Sequence, residues 1–255
     1  MKNTKIKIFI ILLTIASCSH IKIDTPKNES IDTVAHKNQK YLIPIPKSYC
    51  RYNPKVKSDQ SVLNFLSAEG QKEIISLYEE SCEVKEKVIS GDLRDSPRSI
   101  KVDLVKQKDD NIQYATRKEL LDSFYENIHL KAAKELIRKT ANEIYEDLKK
   151  EKSSKYGFSR KRSEILLEEY KSYANNDVRL KKDKDEYAFY LFYYGKGSKI
   201  SSYSVQSSTK LYNQNIMVTI TRTIENTDYS RSIANQMMQE AKGYMKEFVT
   251  LNGHN

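Results

Sequence analysis

TRKELLDSFYENIHLKAAKELIRKTANEIYEDLKK, from Thr116 to Lys150, is the stretch around which the rest of the chain is organised. Leu120, Phe124, Ile128, Ala132, Leu136, Ile144 and Leu148 recur at helical spacing, and Leu121, Tyr125, Ile137, Ala141 and Tyr145 widen the same face. Thr116 followed three residues later by Glu119 has the form of a capping box, which satisfies two of the amide donors that a helix start leaves open. Read as one helix, the stretch is ~50 Å long at 1.5 Å per residue and forms the spine of the fold. The apolar positions keep no strict heptad, which points to a globular spine rather than a coiled coil.

Working outward on the N-terminal side, Ser58 to Ser67 reads as a short helix capped by Ser58 or Asp59, with Val62, Leu63, Phe65 and Leu66 apolar. Gln71 to Ser90 reads as a second helix, with Ile75, Tyr78, Cys82 and Ile89 on one stripe and Gly91 as its stop. Asp92 to Asn111 is polar, with Ile100, Val102 and Leu104 alternating as a short strand would. Tyr41 to Pro46 carries prolines at alternate positions, which exclude a helix and a central strand and leave an extended segment.

On the C-terminal side, Lys152 to Arg162 reads as a basic connector, Ser163 to Ala174 as a helix and Asn175 to Glu186 as a charged loop. The character then changes. Tyr187 to Tyr194 is a dense aromatic run of strand-like composition, and Gly195 to Ser198 reads as a turn. Tyr203 and Val205 alternate within a Ser-rich run from Ile200 to Ser208. Ile216, Val218, Ile220 and Ile224 alternate with Met217, Thr219, Thr221 and Thr223 as a half-buried strand. These runs predict an antiparallel meander of about three strands. Asp228 reads as the cap of a last helix with Ile233, Met237, Ala241, Met245 and Phe248 on one face. The expected fold is α+β and predominantly helical: one long spine helix packed on a small antiparallel β-meander.

The first 18 residues carry the clearest chemical signal. Lys2, Lys5 and Lys7 form a positive head, Ile8 to Leu13 an apolar core, and Ile15-Ala16-Ser17 a run that closes with small residues before Cys18. The apolar run is far short of the ~20 residues a transmembrane helix needs. This is the tripartite shape of a removable export signal, and a cysteine after the small residues makes it a lipoprotein signal in which the thiol accepts lipid. An ordinary signal peptide with a chance cysteine, or an uncleaved anchor, is the bland alternative. The expected organisation is a signal peptide over 1–17, the lipidated Cys18 and a polar tether over 18–40, and one α+β domain over 41–252. A coil as long as the tether would span ~25 Å on average.

The charge balance is +10, from 44 basic and 34 acidic residues. Losing the three signal lysines leaves 41 − 34 = +7. With 7 glycines, 5 prolines and no tryptophan, the composition excludes a membrane barrel and a fully disordered chain. Of the three cysteines, Cys50 and Cys82 remain once Cys18 is assigned to lipid. Outside the cytosol they are candidates for one disulfide, with two separate buried thiols as the alternative.

No catalytic constellation emerges, so an enzyme is not expected. His20 and His36 fall in the tether, His254 in the tail, and His129 on the spine lacks an H-E-x-x-H partner. Asp183 and Asp185 lack the glycine and terminal Glu of a calcium loop, and neither a metal nor a cofactor is expected. Ser207-Ser208-Thr209-Lys210 fits S-x-x-K but falls between strands without companion motifs. Gly195-Lys196-Gly197 lacks the spacing of a phosphate loop.

Two basic clusters are candidates for capturing a polyanion: Lys155, Arg160, Lys161 and Arg162, and then Lys181, Lys182 and Lys184. Solvated loops are the alternative for both. Tyr187, Tyr190, Tyr193, Tyr194, Tyr203 and Tyr212 are candidate interface anchors, with cross-strand packing as the alternative.

The Lys-rich head, Ile15-Ala16-Ser17-Cys18, the polar tether and the Lys/Glu-rich domain together resemble spirochaetal outer-surface lipoproteins of the borrelial type. The resemblance implies a di- or triacylated, palmitate-bearing Cys18 and display at the cell surface. Its implied roles are host contact, immune evasion as a surface antigen, or envelope structure. Ser19 follows the cysteine, with no acidic retention signal directly after it. The expected function is therefore a lipid-anchored outer-membrane lipoprotein acting as a non-catalytic binding or adhesion module. Its expected partners are the bilayer, through acylated Cys18, and a host protein or anionic glycan; export argues against intracellular nucleic acid. The alternatives are a periplasm-facing subunit for envelope assembly or transport, and an unrecognised hydrolase.

Overall fold

Ile100, Val102 and Leu104 alternate with Lys101 and Asp103, and Ile216, Val218 and Ile220 alternate with Met217 and Thr219. A computed structural model places these two runs side by side, antiparallel, with Ile100 opposite Ile220, Val102 opposite Val218 and Leu104 opposite Ile216. The structure describes residues 29–36, 38–67, 72–90, 98–105, 116–150, 160–176, 178–197, 200–225 and 228–253.

The chain opens with strands β1 (Glu29–His36), β2 (Gln39–Pro46) and β3 (Cys50–Arg51), followed by helix α1 (Lys57–Ser67). Strand β4 (Lys72–Glu79), helix α2 (Cys82–Ser90) and strand β5 (Arg98–Val105) come next. Three helices follow: α3 (Arg117–Asn127), α4 (Leu130–Lys149) and α5 (Arg160–Asn175). The chain ends with β6 (Val178–Lys184), β7 (Phe189–Lys196), β8 (Ile200–Leu211), β9 (Gln214–Glu225) and α6 (Arg231–Leu251). β1 and β2 form a separate hairpin; the other seven strands form one sheet in the order β3-β4-β5-β9-β8-β7-β6, antiparallel throughout.

This corrects the expectation of a predominantly helical fold on a small meander. The chain is mixed α+β, with six described helices around a seven-stranded sheet. Tertiary pairing converted three stretches. Glu29–His36, expected in the tether, is β1 and pairs along its whole length with β2, which starts at Gln39 before the tether's expected end. Lys72–Glu79, expected to open a helix, is β4 between β3 and β5; its dense apolar run suits a buried strand as well as a helix. The helix there starts later, at Cys82, where Ser81 Oγ accepts from Val84 N at 3.1 Å. Val178–Lys184, expected as a charged loop, is the edge strand β6, and its lysines are the kind of residue that keeps an edge from aggregating.

The spine also differs. Thr116 does form the capping box, accepting from Glu119 N, but the helix breaks at Ile128 and His129, both with extended backbone. Lys182 Nζ donates to the carbonyls of Tyr125 and Ile128, the latter at 3.1 Å, so a side chain from the unexpected strand satisfies the groups freed by the break. The last helix is capped by Ser230, whose Oγ accepts from Ile233 N at 3.3 Å; Asp228, the expected cap, pairs instead with Lys196 at 2.8 Å.

The sheet divides the core in two. On one face α6 and the β1–β2 hairpin cover Tyr78, Ile100, Val102, Tyr190, Phe192, Tyr194, Tyr203, Val205, Val218 and Ile220. Asn252, the C-cap of α6, locks this layer: its side chain donates to Leu42 O at 2.8 Å and accepts from Leu42 N at 2.9 Å. On the other face α1 and α2 lie over β4, while α3 lies over β8, β6 and β7, α4 over β6 and α5 over β7, burying Leu77, Leu121, Ile137, Leu166, Tyr170, Phe189 and Leu191. Cys50 and Cys82 are bonded, with Cα atoms 4.8 Å apart, and join β3 to the first turn of α2. Next to the bridge, Lys85 Nζ lies 2.6 Å from the buried Asp59 carboxylate and donates to Arg51 O at 3.2 Å.

The bridge closes a sequence separation of 32 residues. Replacing both cysteines by serine should lower unfolding free energy by about 3–4 kcal/mol, from the loop-closure entropy restored to the unfolded chain. Chemical denaturation of the two proteins checks this; equal midpoints would show that the bridge adds nothing.

Candidate functional site

Period-two alternation gives the central strands β5, β9 and β8 one apolar and one polar face. The polar face looks toward the α1–α5 side, since Lys101 stands opposite Leu77 and Thr219, and Thr219 opposite Gln206, which stands opposite Leu191. Register then fills that floor with Lys101 and Asp103 of β5, Thr219, Thr221 and Thr223 of β9, and Ser202, Ser204 and Gln206 of β8. It runs between the α1–α2 pair over β4 and the α3–α5 group, which covers β6 and β7 and reaches β8 through α3.

Every residue of this floor is buried, Asp103 completely and Lys101 to 3% exposure. Lys101 Nζ lies 3.0 Å from Asp103 Oδ2. Among the described residues neither group makes a hydrogen bond beyond that ion pair, and Thr219 Oγ1, Ser202 Oγ and the Tyr193 hydroxyl also have no partner there. Ser204 and Thr221 hydroxyls satisfy each other at 3.0 Å. Burial pushes the Tyr193 phenol well above its ordinary range, so it stays a neutral donor. Buried polar groups without partners are rare and call for an explanation, since each costs about 1–3 kcal/mol. The eight named floor residues comprise one cation, one anion, five hydroxyls and one amide, with no His or Cys among them.

The residues singled out from the sequence are scattered. Cys18, His20 and Lys155 lie outside the described residues. Arg160, Lys161 and Arg162 open the first turn of α5, and this helix start has no acidic residue. Of the second lysine cluster Lys181 is exposed, while the half-buried Lys182 closes the α3–α4 break and the half-buried Lys184 pairs with Asp122 of α3. Tyr190, Tyr193, Tyr194 and Tyr203 are all buried, so they pack the sheet rather than anchor a partner. Tyr194 and Tyr203 have ring centroids 4.9 Å apart. Tyr212 and Asn213 form the β8–β9 hairpin turn with positive φ at both, the geometry whose twist matches that of paired strands. His36 pairs with Glu73 at 3.3 Å and His129 caps α4 by position only. Ser207 to Lys210 lies within β8. Among the described residues no group of three or more His, Cys, Asp and Glu side chains could hold a metal ion.

Sequence reasoning missed Lys101 and Asp103. The signal available was the alternation Ile100-Lys101-Val102-Asp103-Leu104, which places both charges on one face of a strand.

A second feature lies at the sheet's edge. Lys134 of α4, Val178, Arg179 and Leu180 of β6, and Tyr229 and Arg231 at the start of α6 line an open groove of about 530 Å³. Arg179 lies 4.8 Å over the Tyr229 ring, which packs edge-on against Tyr194 at 5.4 Å. No protein-family model, curated protein or solved structure matches this chain.

The Lys101–Asp103 pair separates charge from volume. Asp103→Ala leaves a buried ammonium unpaired and should cost about 3–5 kcal/mol, whereas Lys101→Met with Asp103→Leu should unfold close to the parent. Denaturant midpoints of the single and double variants check this, and a double variant as weak as the single would show that packing rather than charge dominates.

Proposed function

We propose that the chain is an exported, lipid-anchored outer-membrane lipoprotein, displayed at the cell surface, that acts as a non-catalytic binding module. The observation that supports this most is the Cys50–Cys82 bond. Disulfides persist in oxidising compartments, as an exported chain requires. The bond also leaves Cys18, directly after Ile15-Ala16-Ser17, as the one remaining cysteine of three. Among the described residues no helix is long and apolar enough to cross a membrane, so in this reading the acyl chains on Cys18 supply the attachment.

The described fold starts at Glu29, inside the tether expected over 18–40. Fully extended, the chain between them reaches at most about 40 Å. A domain held this way stays near the bilayer, where it meets whatever approaches the surface. The resemblance to spirochaetal surface lipoproteins agrees with this placement, and the described feature open for binding is the basic edge groove.

Cells expressing the protein should incorporate labelled palmitate into it and partition it into detergent, and Cys18→Ala should abolish both. Protease added to intact cells should remove the domain. A labelled protein that resists protease until the outer membrane is opened would place it on the periplasmic face, and an unlabelled one would overturn the lipoprotein reading.

A further inference from the structure

β6 is the last strand of the sheet, so among the described residues one side of its backbone has no strand partner. The two halves of that edge differ. Near the C-terminal end, Lys184 N donates to the Asp183 carboxylate at 2.8 Å, which occupies the main chain there. At the N-terminal end, Val178, Arg179 and Leu180 border the open groove.

The walls of this groove are chemically sorted. Arg179 stands opposite Tyr194, on the α6 face of the sheet, and lies beside Tyr229 and Arg231. Val178 and Leu180 belong to the opposite face, beside Lys134 of α4. Three of the six described lining residues are cations and none of those six is acidic. Ser230 also starts the 21-residue helix α6 beside Arg231, and the positive end of its dipole adds to the field.

We propose that this edge captures an extended acidic segment of a partner protein, added as an eighth strand beside Val178–Leu180. A strand laid there alternates its side chains between the two walls. One row meets Arg179 and Arg231 and favours Glu or Asp; the other meets the half-buried Leu180 and favours small apolar residues. Main-chain hydrogen bonds give affinity and the alternate side chains give selectivity, as in other strand-addition sites. The inference deepens the binding-module reading and rests on it, but its test does not involve the lipid anchor. Palmitate labelling with no peptide binding would leave the anchor reading standing and remove this one.

The test uses the full-length protein in detergent and a fluorescent octapeptide of alternating Glu and Val. Three competitors accompany it: the Lys/Val counterpart, a version with prolines at alternate positions, and a heparin fragment. The Glu/Val peptide should bind, weaken as salt rises, and outcompete the proline version, which cannot pair its main chain. Arg231→Glu should weaken binding by about tenfold while keeping the fold, because an acid at a helix start is favourable. Arg179→Glu should weaken it further, with unchanged circular dichroism as the control. Equal binding of the Glu/Val and Lys/Val peptides, no effect of Arg231→Glu, or tighter capture of heparin than of peptide would overturn the proposal.

Discussion

The pairing of β5 with β9 is the constraint on which the rest of the structure depends. It joins the half of the sheet built from β3, β4 and β5 to the meander of β6 to β9, and no local turn helps to close it. Ile100, Val102 and Leu104 matched to Ile220, Val218 and Ile216 supply the apolar surface that offsets the loop-closure entropy. A slip of one residue would turn Lys101 and Asp103 into the α6 core and Ile100 and Val102 onto the polar face, so register and burial enforce each other. Slow, late formation of this pairing is the expectation for contacts so far apart in sequence.

The same junction fixes α6. Arg98 and Arg222 stand opposite each other on the face that α6 covers, and Arg98 pairs with Glu240 of that helix. Arg222 is 5% exposed; burial, and then the neighbouring Arg98, hold its affinity for a proton below the usual arginine range. Two cations on adjacent strands are tolerable here because Glu240 and Glu80 contribute opposite charge. On the other side, the Cys50–Cys82 bond and the Asp59–Lys85 pair gather α1, α2 and β3 without any contribution from the meander.

Much of this was legible wherever one period dominated. The strand over Ile216–Ile224, the capping box at Thr116 and the buried face of α6 follow from alternation or helical spacing in a single window. The errors fall where the deciding partner is distant. Ile74 to Glu79 carries enough apolar residues for either helix or strand, and only the neighbours β3 and β5 select the strand. The spine offers no proline or glycine to announce its break; the group that stabilises the break, Lys182, lies on another element. Lys101 and Asp103 drew no reading of their own, because pattern alone cannot show that helical layers stand over both ends of the face.

β6 shows how a charged segment becomes part of a fold without gaining a core of its own. Its side chains alternate between layers: Lys182 and Lys184 reach α3, while Asp183 reaches Lys242 of α6 at 2.8 Å. Partial burial raises the proton affinity of Asp183, but the hydrogen bond and charge of Lys242 outweigh it and hold the carboxyl below its ordinary range. Each of these exposed or half-exposed pairs contributes well under ~1 kcal/mol. Several together suffice to hold an edge strand that buries little beyond Val178. The consequence is an edge held from both layers at its C-terminal half and bordered by cations at its N-terminal half. The charges that make β6 look like a loop in the sequence are therefore the ones that hold its C-terminal half, while among the described residues the main chain at Val178–Leu180 has no further strand beside it.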